Sequence, residues 1–61
     1  MKVKIEIECD NAAFEPRPED EISRLLRLLA ATVRDTPLEL CNGATFRDRN
    51  GNTVGRVTVE E

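Results

Sequence analysis

The stretch Pro18 to Val33, PEDEISRLLRLLAATV, is the only run of this chain long and periodic enough to form an element on which others must pack. Its apolar residues Ile22, Leu25, Leu26, Leu29 and Val33 fall at steps of three, one, three and four. At about 100° per residue, those steps gather on one stripe of an α-helix. Both ends of the helix are signalled. Pro18 suits the first turn, where its missing N–H is not needed, and Glu19, Asp20 and Glu21 set negative charge against the positive end of the helix dipole. Arg34 suits the other end, and Pro37 forces Thr36 out of helical conformation, so the helix is expected to stop near Arg34 or Asp35.

A single apolar stripe needs a cover, and two segments alternate in the manner of strands. From Lys2 to Glu8, Val3, Ile5 and Ile7 point one way and Lys2, Lys4, Glu6 and Glu8 the other, which predicts a strand with one wet face. Cys9 continues the buried parity. Further on, Asn50-Gly51 is the preferred pair for a two-residue type I′ hairpin loop. If Arg49 pairs with Asn52 across that loop, Phe46 faces Gly55 and Ala44 faces Val57, and Phe46, Val57 and Val59 share one face. In this register Gly55 leaves room for the phenylalanine ring. Between helix and hairpin, Leu38 to Gly43 reads either as a short strand or as a cap on the core, with a turn at Asn42-Gly43. Before the helix, Phe14 in a polar connection is expected to plug the open end of the core.

The expected fold class is therefore α+β, a single domain over residues 1–61 with the element order β-α-β-β: a three-stranded sheet with one helix packed on one face. A helical return makes strands one and two parallel and the last strand antiparallel to both. Strand order 1-3-2 is favoured over 1-2-3, because Val57 and Val59 carry more strand propensity than Ala44 to Asp48.

Size makes the core marginal. A domain of 61 residues buries only about 60% of the surface that its unfolded chain exposes, and such domains commonly draw on disulfides, a metal or a partner chain. Two cysteines and no histidine are a poor supply for the first two, since a closed zinc site wants four ligands. No cofactor or metal is expected. Nothing at the N-terminus reads as a signal peptide, so Cys9 and Cys41 are expected as reduced thiols in a cytoplasm rather than as a disulfide. No apolar run approaches the roughly 20 residues of a membrane span.

Catalysis by familiar routes lacks parts: there is no histidine, and Ser23 is the only serine. The paired carboxylates Glu19 to Glu21 and Glu60-Glu61 read as a helix start and a solvated tail, so no enzyme is expected. Asp48 to Asn52 looks like a calcium loop only superficially, because Gly51 falls fourth where an EF-hand needs glycine sixth. With a net charge of −3 and no Tyr or Trp, a nucleic-acid partner is disfavoured.

Arginine is the more telling bias, supplying seven of the nine basic residues. Arg17, Arg24, Arg27 and Arg34 lie within about 100° of one another on the helix, opposite the apolar stripe. Such a face is either simply solvated, with Asp20 pairing Arg24 one turn on, or a docking face for an acidic partner or a phosphate backbone. Leu28 lies roughly 115° from the centre of the stripe and is expected to be partly exposed. It is either a lone surface leucine or, with Leu25 at the stripe edge, part of a self-association face supplying burial that the core lacks.

The chain resembles a group of small uncharacterised proteins of tailed bacteriophages and prophages. The likeness rests on IEIECDNAAFE at Ile5 to Glu15, the leucine- and arginine-rich helix, and FRDRNGNTVG at Phe46 to Gly55. It implies a phage or prophage gene expressed in a bacterial cytoplasm, and it carries no catalytic or binding residue across. The resulting expectation is a non-enzymatic protein acting by binding, with a host or phage protein or a second copy of itself as partner. Leu28, Arg24, Arg27 and Arg34 are the candidate contacts. The alternative is a nucleic-acid-associated regulator using the arginine face.

Overall fold

The computed structural model describes all of residues 1–61. Strand β1 (Lys2–Ile7) is followed by a 3₁₀ turn at Ala12–Phe14, helix α1 (Pro18–Asp35), a second 3₁₀ turn at Leu38–Cys41, and the hairpin strands β2 (Thr45–Arg47) and β3 (Thr53–Glu60). The sheet order is β1-β3-β2, with β3 antiparallel to both neighbours. The α+β class and the strand order thus follow from the alternation of the two strand segments and the propensity of β3. Leu38–Cys41 is a 3₁₀ cap rather than a strand. Downstream of it the loop supplies what the short β2 cannot. Gly43 N–H donates to the Val57 carbonyl at 2.8 Å, Val57 N–H to the Ala44 carbonyl at 2.8 Å, and Val59 N–H to the Asn42 side chain at 2.9 Å.

The hairpin has the expected pairing of Phe46 with Gly55, but not the expected loop. A type I′ turn needs φ > 0 at both central residues, and Gly51, at φ 87, is the only residue of this loop in that region. Asp48 N–H donates to the Asn52 carbonyl and Gly51 N–H to the Asp48 carbonyl, which makes Arg49–Gly51 a three-residue loop. The Asp48 carboxylate selects it by accepting the N–H groups of Asn50 and Asn52, both at 2.9 Å. The register then slips between Phe46 and Arg47, since Arg47 sits opposite Thr53. Val54 consequently has no partner on β2, and it turns into the core.

That core is Ala13, Phe14, Leu25, Phe46, Val54 and Val57, with Ile7, Cys9, Ile22, Leu29 and Val59 packed partly buried around it. Phe14 plugs it as expected. The stripe of α1, however, is only half used: Leu25 is buried while Leu26 and Val33 are exposed. On β1 the inward parity is not fully covered either, because Val3 and Ile5 are exposed. The cause lies in the geometry of the core. The bulge at Val54 and the plug at Phe14 draw the core toward the hairpin end, and an 18-residue helix of about 27 Å runs on past it.

Gly55 is required for a reason other than the Phe46 ring. A Cβ there would run into the main-chain carbonyl of Glu6 on β1 and come within 3.0 Å of the Ile7 Cα. Backbone atoms paired in a ladder cannot withdraw without loosening the sheet. Gly55→Ala is therefore expected to cost about 2 kcal/mol in urea unfolding, within the range for overpacking. A cost under about 0.5 kcal/mol, the scatter of a neutral surface change, would contradict this packing.

Candidate protein interface

Two buried carboxylates fix the relation of helix to hairpin. Glu21 lies at the edge of the stripe and is buried; it accepts Arg24 Nε at 2.8 Å and Nη2 at 2.7 Å, and the backbone N–H of Arg49 at 2.8 Å. Asp48 is likewise buried. Beyond its own loop it accepts the side-chain amide of Asn11 at 2.7 Å, while the Asn11 carbonyl oxygen accepts the Ala13 N–H at 3.0 Å and starts the 3₁₀ turn. No buried side-chain N or O lacks a partner.

These bonds decide the titration. The Arg24 hydrogen bond outweighs burial, and with the Arg49 N–H it holds the Glu21 carboxyl below its ordinary pKa. Burial pushes Asp48 up, but the N–H groups of Asn52 and Asn50 and the Asn11 and Asn52 amides together leave it below the usual range.

The candidate contacts named from the sequence separate in space. Arg24 is committed to Glu21 rather than Asp20, and its Nη2 also reaches the Arg47 carbonyl at 3.3 Å. Asp20 pairs instead with Arg17, whose guanidinium also meets Glu19 at 3.5 Å. Arg27 and Arg34 remain exposed on the outer face of α1. Leu28, 55% exposed, lines a shallow groove of about 100 Å³ between α1 and β2, with Leu25, Leu29, Thr32, Phe46 and Val57. A larger hollow of about 280 Å³ at the helix start brings together Arg17, Arg24 and Arg49 with Glu15, Asp20 and Glu21. Three cations against three anions there give no net preference for a charged ligand.

The sequence reading placed a second apolar surface in the core. Leu26 and Val33 are each 41% exposed, Val3 43% and Ile5 45%. Leu28 and Thr32 mark the flank of α1 over β2, and Leu26 and Val33 lie roughly 150° round the helix from Leu28. They therefore flank α1 on the β1 side, above the sheet face that carries Val3 and Ile5. One signal for this surface was present in the sequence: Ile22, Leu26, Leu29 and Val33 are spaced four, three and four, the rhythm of a helix that meets a second helix. Both cysteines are free thiols. Cys9 Sγ donates to the Ile7 carbonyl and Cys41 Sγ to the Pro37 carbonyl, both at 3.7 Å. There is no cluster of three or more His, Cys, Asp or Glu side chains able to hold a metal ion, and no helix is long and apolar enough to cross a membrane.

A group whose folded pKa is depressed contributes stability above its unfolded pKa and loses it as pH falls through the folded value. The wild-type chain is thus expected to lose stability as pH falls below 4.5, the ordinary value for Glu21. Glu21→Gln should be the less stable protein at neutral pH, with the shallower decline in acid. Thermal melts of both from neutral pH to about pH 2.5 should converge at the acid end, where a protonated glutamate resembles glutamine. Parallel curves would remove Glu21 as the acid-sensitive tie.

Comparison with protein-family models, with curated proteins and with solved structures finds no match to this chain, so its function is argued from this geometry.

Proposed function

We propose that this chain works without catalysis, by binding protein. The observation that carries the reading is the imbalance between core and surface. Six residues form the buried apolar cluster, while Val3 and Ile5 on β1 and Leu26, Leu28 and Val33 on α1 stand at least two-fifths exposed. Exposed apolar side chains gathered where α1 overhangs β1 mark a contact, and a 61-residue chain gains more than a larger one from covering them. In the setting implied by the resemblance to phage and prophage proteins, the partner is a second copy or a host or phage protein. The arginine face gives the competing nucleic-acid reading less support, because Arg24 is held by Glu21 and only Arg27 and Arg34 of the named arginines project freely.

Light scattering on the wild type from about 10 μM to about 1 mM covers the range of weak to moderate association. The expected result is a mass that rises with concentration, or retention of a bacterial protein on the immobilised chain. Leu26→Glu, at an exposed position, should abolish that association without loss of helical signal. A strict monomer that retains no protein, and binds DNA or RNA with a steep salt dependence instead, would overturn the reading in favour of the arginine face.

A further inference from the structure

Strand β1 is one of the two edges of the sheet and has no neighbour on its outer side. Which of its backbone groups face outward is fixed by the ladder. Glu8 N–H donates to the Val54 carbonyl at 2.7 Å, in the same register that pairs Glu6 with Arg56, Lys4 with Thr58 and Lys2 with Glu60. Hydrogen-bonded positions alternate along an antiparallel pair. The N–H and C=O groups of Val3, Ile5 and Ile7 therefore point to the free edge. Of these, the Ile7 carbonyl takes the weak Cys9 S–H at 3.7 Å and keeps a lone pair for another donor.

The side chains on this edge are ordered in a particular way. Residues 2–8 read Lys-Val-Lys-Ile-Glu-Ile-Glu, with cations before Ile5, anions after it, and apolar residues at every other place. We infer that β1 pairs with β1 of a second copy of this chain, antiparallel about a two-fold axis at Ile5, to make one continuous six-stranded sheet. This proposal deepens the protein-binding reading and rests on it.

In that register Lys2 meets Glu8 and Lys4 meets Glu6 of the other copy on the polar face. On the other face Val3 meets Ile7, and Ile5 meets its own equivalent. All four opposed polar pairs join opposite charges, and the outward N–H and C=O groups of Val3, Ile5 and Ile7 find partners. Centring the pairing on Lys4 instead would oppose Lys4 with itself, and an odd offset would break the match of outward-facing groups, so one register is singled out. The same axis lies perpendicular to the sheet, so both helices sit on one face. Their Leu26 and Val33 flanks then look toward each other across Val3 and Ile5 of both chains, and the exposed apolar set becomes the middle of a shared core. Lys4 already lies 3.1 Å from Glu60 on that polar face, and it would sit between Glu60 and the incoming Glu6.

Two charge-segregated variants test the arrangement: Lys2→Glu/Lys4→Glu and Glu6→Lys/Glu8→Lys. Each alone sets like charges against each other at every opposed polar pair, and should weaken self-association at least about 30-fold relative to the wild type. An equimolar mixture should restore a dimer of mixed composition, read by native mass spectrometry at low salt. Far-UV circular dichroism reports the fold of each variant, and recovery in the mixture counts for pairing even where a variant alone is unstable. Leu28→Glu, on the far flank of α1, should leave the wild-type dimer in place. Self-association that ignores charge reversal but is lost in Leu28→Glu would overturn the β1 pairing while leaving the protein-binding reading standing. A wild type that stays monomeric at about 1 mM would also overturn the pairing, and that reading would then depend on retention of a bacterial protein.

Discussion

The Asp48 carboxylate is the group on which the rest of the structure depends. It sets the loop by bonding the N–H groups of Asn50 and Asn52, and it reaches Asn11 to fix the turn that presents Phe14. Glu21 makes the matching tie from the helix, holding the N–H of Arg49 beside that loop. Two charges are taken out of water in a very small protein. Such burial is tolerable only where donors meet the carboxylate oxygens, and here backbone N–H groups, amides and one bidentate guanidinium do so. Two stretches far apart in sequence, Asn11 to Phe14 and Asp48 to Asn52, are thereby locked to the helix start.

One consequence is an asymmetric molecule, 36 Å long and 18 by 17 Å across. The hairpin end carries the carboxylate network and the core cluster, whereas the far end consists of an overrunning helix and the start of β1. The apolar residues there, Val3, Leu26 and Val33, follow the same periodic patterns as the buried ones, yet no element of the chain reaches over them. A second chain is the simplest source of cover, since isologous pairing brings the same unsatisfied surface from both sides.

Most of the architecture was legible because it depends on period. The 3.6-residue repeat of Ile22, Leu25 and Leu29 gave the helix, Pro18 and Pro37 its ends, and the two-residue repeats of Val3 to Ile7 and Val57 to Val59 the sheet. Period alone could not say how much of each face would be covered. That depends on the shift at Val54, which sends a side chain inward against the alternation, and on the length of α1 relative to a three-residue β2. The role of Glu21 was hidden for a related reason. At the start of a helix an acidic run reads as dipole compensation, and only the fold reveals that one member of the run faces the hairpin while its neighbours face water. The three-residue loop was missed because Asn50-Gly51 is a strong local signal for type I′, and an aspartate two residues before it changes the answer by capturing two N–H groups.

The edge strands differ in a way that bears on assembly. β2 is protected by its brevity and by the slip at Phe46, devices that discourage addition of a further strand. β1 has neither, and no proline or glycine interrupts it. An unguarded edge of alternating Val and Ile would invite open-ended stacking, and the usual remedy is scattered charge. Here the charge is sorted instead of scattered. In a parallel, in-register stack, Lys2 and Lys4 would face lysines and Glu6 and Glu8 would face glutamates, which opposes a growing fibril. Only the antiparallel pairing turns every contact favourable, and it uses up the one open edge that each chain possesses. The proposed pairing would close at two copies, the order of charges on β1 both admitting such a dimer and limiting it.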